Sequence, residues 1–318
     1  MKADGVFEGG GVKGIGLVGA VCRLEEEGYT WRRLAGTSAG AIIAALLAAG
    51  YKGTELREIV LNLDYRSFQD KHSLQKVPLL GKALGLLVEK GMYSGDSFEE
   101  WMRGVLNKKG KVRFKDISIN GQSPLKVIAS DITRKNMLIL PDELKGYGID
   151  PMEFDIARAI RMSMSIPFYF KPIKLYWKGK VSYIVDGGIL SDFPVWLFDN
   201  DKLPDYPVFG LRLVAPVQGR TIVGKNDFFS YLIDVVRTIL DEDDSKYISN
   251  KTLVRTIPIP CGDVSSTEFN ISREKSQQMF ERGYNAADDF LSRWSFKEYV
   301  KRYRETNPPS RLETLWRD

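Results

Sequence analysis

The chain has 318 residues and a net charge of +5, and with 43% hydrophobic and 27% charged residues its composition is that of an ordinary globular protein. Its two cysteines, Cys22 and Cys261, lie far apart, which excludes a disulfide-rich scaffold and a cysteine-based metal site. We therefore expect a reducing, cytoplasmic environment and neither a metal nor a cofactor.

The amino terminus and the charge distribution indicate where the protein acts and which partners it contacts. Residues 1–7 lead directly into a short strand, without the basic and then apolar stretch of a secretory signal. The longest apolar run, Ala41 to Ala49, falls far below the roughly 18 residues of a membrane span. Basic residues cluster only at 108–115 and 171–180, which indicates solvated loops or peripheral contact with an anionic membrane surface. Nucleic acid is not an expected partner, because no recognised binding motif accompanies the charge.

The chain opens with a strand, a glycine loop and a helix. Val6-Phe7 leads into Gly9 to Gly14 (GGGVKG), which fits the G-x-G-x-x-G pattern. Residues 15–27 then have the apolar spacing of an amphipathic helix, and Gly28 is its predicted end.

A second unit of the same kind follows. Residues 29–35 are predicted to form a strand, and residues 39–49 form a helix of small apolar residues. The turn between them, Gly36 to Gly40 (GTSAG), fits Gly-x-Ser-x-Gly, which places a serine hydroxyl at the tip of a sharp bend. The alternation of strands and helices predicts an α/β fold, with a mainly parallel central sheet and helices on both faces.

The rest of the chain continues this alternation. Ser97 and Glu100 predict a capping box ahead of a helix at 98–106. Further strands are predicted at 125–130, 137–140, 181–185 and 208–214, and further helices at 155–164, 228–240 and 272–294. Without an internal repeat or a convincing linker, the whole chain, residues 1–318, is predicted to form one domain.

Ser38 in the Gly-x-Ser-x-Gly turn is a candidate nucleophile, and such a serine usually has a histidine as its base. The only histidine, His72, lies in a polar stretch and is predicted to be an exposed structural residue. If the chain is a serine hydrolase, an acid must take the proton. Asp186 is the stronger candidate, because it ends an apolar strand and precedes two glycines. Asp131 is the rival, and we interpret it as a turn or cap residue.

The glycine loop can hold a phosphate or a developing oxyanion, since its backbone N–H groups point out of a helix N-terminus. A dinucleotide fold needs an acidic residue about 20 residues further on, and the chain has the serine turn there instead. This favours an oxyanion hole, and its predicted N–H donors are Gly9, Gly10, Gly11 and Ala39. We expect Lys13 to be solvated or to brace the loop.

These motifs together resemble the patatin-like phospholipase family, in which a glycine-rich oxyanion loop, a Gly-x-Ser-x-Gly nucleophile and an Asp-Gly-Gly turn follow in that order. The resemblance covers residues 6–214, and residues 215–318 are expected to complete the same domain. Shorter stretches also match the family, among them Ser163 to Pro172. Glu8 departs from it, because many members have aspartate there.

The resemblance implies a three-layer patatin-like fold and a Ser38–Asp186 dyad that hydrolyses fatty acyl esters of phospholipids or related lipids through an acyl-enzyme. A free aspartate, with a pKa of about 3.9, is a weak base, so we expect position and desolvation to activate it. The remaining motif residues are Lys13, Gly14, Gly36, Gly40, Gly187 and Gly188.

Several alternatives stay open at this stage. The chain could be a nucleotide- or phosphate-binding module that uses the glycine loop, an inactive lipid-binding relative, or an acyltransferase. Residues 77–92 are a buried helix, a cap over an acyl-chain groove or an interfacial patch. Residues 168–170 either line that groove or pack in the core. No loop carries the spaced carboxylates of a calcium site, so calcium is not expected to be required.

Overall fold

The computed structural model describes residues 1–69, 89–199, 203–214, 228–240 and 250–305. Its strands are β1 (Lys2–Phe7), β2 (Thr30–Thr37), β3 (Gly91–Tyr93), β4 (Leu125–Asp131), β5 (Asn136–Leu140), β6 (Phe168–Phe170), β7 (Ile173–Trp177), β8 (Lys180–Asp186), β9 (Val208–Val214) and β10 (Thr256–Pro260). Its helices are α1 (Ile15–Glu26), α2 (Ala39–Ala48), α3 (Gly53–Leu61), α4 (Asp96–Asn107), α5 (Phe114–Ile117), α6 (Ile156–Ser163), α7 (Phe228–Leu240), α8 (Asn250–Val254), α9 (Arg273–Leu291) and α10 (Phe296–Glu305).

The central sheet has the strand order β10-β9-β1-β2-β4-β8-β7, and β5 pairs with β4 beside this path. The strands from β10 to β4 are parallel, whereas β8, β7 and β5 run antiparallel to their neighbours. β3 and β6 form a separate parallel pair. The predicted α/β fold with a mainly parallel central sheet is confirmed.

The sheet is covered on both faces. On one face, alternate residues of β1, among them Ala3 and Phe7, join the main hydrophobic core with side chains of α1 and α2. On the other face, Val6 packs with Val195 and Phe198 of a short 3-10 helix. Successive side chains of β1 thus point to opposite faces of the sheet and pack in both layers, as expected for a sheet that is buried on both sides.

The carboxyl-terminal helix α9 lies directly on α1. A methyl group on Gly19 would come within 1.9 Å of the Phe280 carbonyl oxygen, and one on Gly283 within 1.8 Å of the Gly16 carbonyl oxygen. The glycines on both helices therefore allow the two backbones to touch. The contact connects the part of the chain after residue 214 with the first strand–helix unit of the fold. The assignment of the whole chain to one domain stays a prediction.

Most predicted elements are confirmed to within a few residues, and one local feature was wrong. Helix α4 begins at Asp96, with Gly95 as its N-cap in a left-handed conformation, so the predicted Ser97–Glu100 capping box does not start the helix. Instead, the Ser94 hydroxyl accepts a hydrogen bond from the Asp96 N–H. His72 and most of the predicted apolar segment at 77–92 lie outside the described residues.

The described helices include none that is long and apolar enough to cross a bilayer.

Candidate active site

Ser38 occupies the turn between β2 and α2 in a backbone conformation that side-chain-bearing residues seldom adopt. Its φ of 50° and ψ of −119° lie outside the allowed regions for most residues, at a cost of about 1–3 kcal/mol. The residue is only 7% exposed. Such strain is retained where the surroundings force it, which is typical of a nucleophile elbow.

The two glycines of the motif are required by close packing. A methyl group on Gly36 would lie 2.4 Å from the Gly40 carbonyl carbon, and one on Gly40 would lie 2.2 Å from the Phe7 carbonyl oxygen. The start of α2 therefore crosses the ends of both β1 and β2 at backbone contact. Any larger residue at either position would push the turn away from the sheet.

Strand pairing explains why Ser38 and Asp186 meet, although they are far apart in sequence. β2 runs parallel to β4 and ends with Thr37 beside Ile128. β8 runs antiparallel to β4 and ends with Asp186 beside Ala129, the next residue along β4. The carboxyl ends of β2 and β8 thus face each other along β4, and Ser38 follows directly after Thr37.

Asp186 is almost fully buried, with 1% of its surface exposed. Its Oδ1 accepts a hydrogen bond of 2.9 Å from the Gly188 N–H. The Ser38 hydroxyl is close enough to lower the pKa of this carboxyl, but Oδ2 makes no hydrogen bond of ordinary geometry to the described part of the chain. Burial outweighs both effects and raises the pKa of Asp186 to about 7.

The glycine loop lies beside Ser38, between β1 and α1. The Gly9 N–H donates to the Asp192 carbonyl oxygen at 3.2 Å, so it is engaged within the protein. The N–H groups of Gly10, Gly11 and Ala39 make no backbone hydrogen bond to the described residues. Of the four predicted oxyanion donors, Gly9 is therefore engaged elsewhere, and Gly10, Gly11 and Ala39 stay as candidates. Ala39 starts α2, where the helix dipole adds positive potential.

A buried ion pair lies directly before the glycine loop. Glu8, at the end of β1, is 7% exposed and pairs with Arg212 of β9 at 3.2 Å. Burial raises the pKa of Glu8 to about 7, while the charges of Arg212 and Lys13 oppose this. Lys13 is 8% exposed, so the solvated alternative is wrong and the bracing alternative agrees with its position.

Both oxygens of the rival acid, Asp131, are occupied by its own turn and by Tyr147. Its Oδ1 accepts the N–H groups of Thr133 and Arg134, and its Oδ2 accepts the Tyr147 hydroxyl at 2.6 Å. A carboxylate with both oxygens occupied in this way caps a turn. The interpretation of Asp131 as structural agrees with these contacts.

An apolar pocket opens at Ser38. Gly11, Ser38 and Ala39 line it together with side chains of α2, α3 and α4 and of the segment around β6, among them Ile42, Leu46, Val60, Trp101, Ile166 and Phe170. Phe170 thus lines the predicted groove, while Tyr169 stacks on Phe269 and packs in the adjoining core. No acidic or basic side chain lines the pocket among the described residues.

Two contributors to the site were missed from the sequence. The Ser163 hydroxyl accepts the Ser38 N–H at 2.8 Å, and the segment after Asp186 binds both neighbouring turns. In that segment the Ser191 carbonyl accepts the Thr37 hydroxyl, and the Asp192 carbonyl accepts the Gly9 N–H. Only the nearness of these residues to the family motifs could have drawn attention to them.

Comparison with known proteins identifies the family. A sequence model described as patatin-like phospholipase matches residues 5–199. The protein YqhO of Bacillus subtilis (strain 168) is 38% identical over 297 residues, which cover 93% of this chain and all of YqhO. The chain belongs to the patatin-like phospholipase family.

A more distant viral protein and a solved structure are also similar to this patatin-like chain. A protein of Invertebrate iridescent virus 6 named probable lipid hydrolase 463L is 24% identical, over 60% of this chain and 61% of its own length. The crystal structure of VipD from Legionella pneumophila shares the fold, with a TM-score of 0.53 and 18% identity over 92% of this chain and 66% of VipD.

A first prediction concerns the glycine loop of this family member. Gly11 has a φ of +56°, and a methyl group there would lie 2.0 Å from the Ser266 carbonyl oxygen. We expect Gly11→Ala to displace the loop and to reduce ester hydrolysis at least about tenfold, on the scale of losing one oxyanion donor. Steady-state kinetics with a soluble ester would measure this.

Gly28→Ala is the matched control, because Gly28 also has a positive φ but a methyl group there would meet nothing within 4 Å. It is expected to lose stability without losing the catalytic rate. Equal rates for Gly11→Ala and wild type would show that the loop takes no part in the reaction.

Proposed function

We propose that the chain is a lipid acyl hydrolase that cleaves fatty acyl esters of phospholipids or related lipids, with Ser38 as nucleophile and Asp186 as proton acceptor. The observation that carries the proposal is that β2 and β8 both pair with β4. Their carboxyl ends meet there, so the strained serine turn lies opposite a buried aspartate. The family membership and the lipid hydrolase name of the viral relative support the same substrate class.

In the proposed reaction, Asp186 accepts the hydroxyl proton as Ser38 Oγ attacks the ester carbonyl carbon. The N–H groups of Gly10, Gly11 and Ala39 would stabilise the oxyanion that forms. The tetrahedral intermediate then collapses, the C–O bond to the alcohol breaks, and the alcohol leaves with the proton from Asp186. Water then attacks the carbonyl carbon of the acyl-enzyme while Asp186 accepts its proton. The bond between this carbon and Ser38 Oγ breaks, the fatty acid is released, and Ser38 Oγ takes the proton back from Asp186.

The environment of Asp186 suits this role. A carboxylate with a pKa near 4 would hold a proton too weakly to act as an efficient base at neutral pH. Burial raises the pKa of Asp186 to about 7, which matches its proton affinity to the working pH. The uncommitted Oδ2 leaves one oxygen available for the Ser38 proton.

The apolar pocket at Ser38 suits an acyl chain. Its lining of aliphatic and aromatic side chains would bury methylene groups, each worth about 0.8 kcal/mol. A phosphate group would gain nothing from such walls. This favours the lipid hydrolase over the phosphate-binding alternative, in which the glycine loop would act alone.

The proposal is tested by labelling and by lipid analysis. A fluorophosphonate probe should form an adduct with Ser38, identified by peptide mass spectrometry, in wild type and not in Ser38→Ala. Mass-spectrometric profiling of a lipid extract incubated with each protein should then show which acyl lipid is consumed. An absence of adduct and of lipid turnover in wild type would contradict the proposal and favour a binding protein.

The pH dependence gives a second prediction. Because Asp186 must be ionised to accept a proton, activity should fall as the pH drops below about 7, by about tenfold per pH unit. The rate constant kcat/KM for a soluble ester, measured from pH 5 to 9, should rise through this range and then level off.

Glu8 titrates in the same range, so the Glu8→Gln variant is the control. The variant should keep the acidic limb of the profile, because the limb is assigned to Asp186. Loss of the limb in Glu8→Gln would assign the titration to Glu8 instead.

A further inference from the structure

The segment Arg161 to Ser165, at the end of α6, touches both members of the proposed dyad. α6 packs against α2, β4 and β8, the elements that position Ser38 and Asp186. Ser163 and Ser165 are both fully buried, and so are Ala159 and Ile160 earlier in the helix. The proposed reaction assigns no role to this segment.

Ser163 binds the backbone of the nucleophile. Its hydroxyl oxygen accepts the Ser38 N–H at 2.8 Å, and the contact is fully buried. The backbone N–H at the tip of the serine turn thus finds its hydrogen-bond acceptor in a side chain and not in a neighbouring strand. This group precedes the strained Ser38 Cα, whose φ is 50°.

Ser165 binds the backbone of the proton acceptor. Its carbonyl oxygen accepts the Asp186 N–H at 2.9 Å, where β8 ends. Two residues of one segment therefore hold the peptide groups of Ser38 and Asp186, one through a hydroxyl and the other through a carbonyl. The relative position of the two catalytic side chains depends on this short piece of backbone.

A buried arginine fixes the segment itself. Arg161 is 1% exposed, and its guanidinium donates to the Gly95 carbonyl at 3.0 Å and to the Lys171 carbonyl at 2.8 Å. It also donates to the Ser94 carbonyl and to the Ser165 hydroxyl. These bonds tie the end of α6 to the residues before α4 and after β6.

We propose that Ser163 is a positioning residue, which holds the serine turn in the conformation that directs the Ser38 hydroxyl at Asp186; this inference rests on the proposed function. Strained backbone persists only where its surroundings determine it, and the Ser163 oxygen is the acceptor that does so at the Ser38 N–H. Without it, a buried N–H would lack a partner and the peptide would rotate towards another acceptor.

The test compares Ser163→Ala with Ser123→Ala. The Ser123 hydroxyl also is buried and accepts a backbone N–H, that of Leu125 at 3.1 Å, but it lies at the opposite end of β4 from Asp186. Both variants should lose similar stability in thermal unfolding. Only Ser163→Ala should lower kcat for a soluble short-chain ester, by about ten- to a hundredfold, with little change in KM, because misplaced reacting groups cost that much.

Fluorophosphonate labelling of Ser38 gives an independent readout, and its rate should fall in Ser163→Ala but not in Ser123→Ala. If Ser163→Ala does not fold, Ser163→Cys retains a side-chain acceptor at this position, although a weaker one, and should show a smaller fall in the same direction. Equal kcat and labelling rates for the Ser163 variants and wild type would overturn the positioning role alone. A wild type that takes no label would overturn both this inference and the proposed function.

Discussion

Replacement of Ser38 by alanine is expected to abolish ester hydrolysis and to leave the protein folded. The variant lacks the attacking oxygen, so no acyl-enzyme can form, and the rate should fall by at least about a thousandfold, as when nucleophiles of other serine hydrolases are removed. Hydrolysis of a soluble ester and of a phospholipid in mixed micelles should both be lost.

The fold should survive because alanine keeps everything at this position except the hydroxyl. The Ser38 N–H, which donates to Ser163, is retained, and a methyl side chain is strained by the positive φ no more than serine. We expect the free energy of unfolding to change by no more than about 1 kcal/mol. Thermal unfolding measured beside the activity would separate loss of chemistry from loss of structure.

His72→Ala is the control for the choice of base. The chain has a single histidine, and a serine–histidine mechanism would have to use it. We expect this variant to keep wild-type activity, since Asp186 is proposed to accept the proton. A folded His72→Ala protein without activity would contradict the Ser–Asp mechanism, while an active Ser38→Ala protein would contradict the assignment of the nucleophile.

The sequence predicted the turns around Ser38 and the glycine loop well, because these motifs depend on backbone geometry. Gly36 and Gly40 flank Ser38 because the turn touches neighbouring backbone, and Gly11 is needed at a positive φ. Such requirements restrict a position to glycine, so they can be recognised in a single sequence. The strand ends that carry Ser38 and Asp186 were predicted for the same reason, because turn glycines follow apolar runs.

The contacts that join distant segments could not be predicted in this way. The apolar strand and the two glycines beside Asp186 favoured it over Asp131, but the contact itself depends on β8 pairing with the end of β4, which no local pattern specifies. The same holds for Ser163, a small polar residue in a helix, and for the partner of Gly9 in the segment after Asp186. Pairing between strands far apart in sequence is decided by the packing of the whole sheet.

One strand was missed and one local prediction was wrong, each for an identifiable reason. β10 was missed because Pro258 and Pro260 interrupt its pattern, yet it is an edge strand, where proline is tolerated. The capping box at Ser97 was wrong because Gly95, with a φ of 73°, allows the helix to begin earlier. In both cases the sheet or the turn offered an alternative that local propensity does not reveal.

The second large effect is expected for Asp186→Asn, which should remove activity and increase stability at neutral and alkaline pH. The amide can still accept the Gly188 N–H, so the turn after β8 should keep its shape. However, an amide cannot accept the Ser38 proton. We expect hydrolysis to fall by about 10³- to 10⁵-fold, and fluorophosphonate labelling to slow with it.

The gain in stability follows from the pKa of Asp186. Burial raises it from 3.8 to about 7, so between these values the folded protein holds a proton that the unfolded chain releases. Wild type should therefore lose stability as the pH rises from about 4 to about 7, at about 1.4 kcal/mol per unit, and no further loss should follow above 7. The amide of the Asp186→Asn variant has no charge to bury, so the variant should lack this contribution.

Denaturant unfolding of both proteins from pH 4 to 9 would measure the difference. The two proteins should be similar in stability near pH 4, and the variant should become the more stable by a few kcal/mol near pH 8. Glu8 titrates in the same range but is present in both proteins, so its contribution cancels in the comparison. A difference in stability that does not change with pH would contradict a raised pKa of Asp186. The activation of Ser38 would then depend only on the position of Asp186.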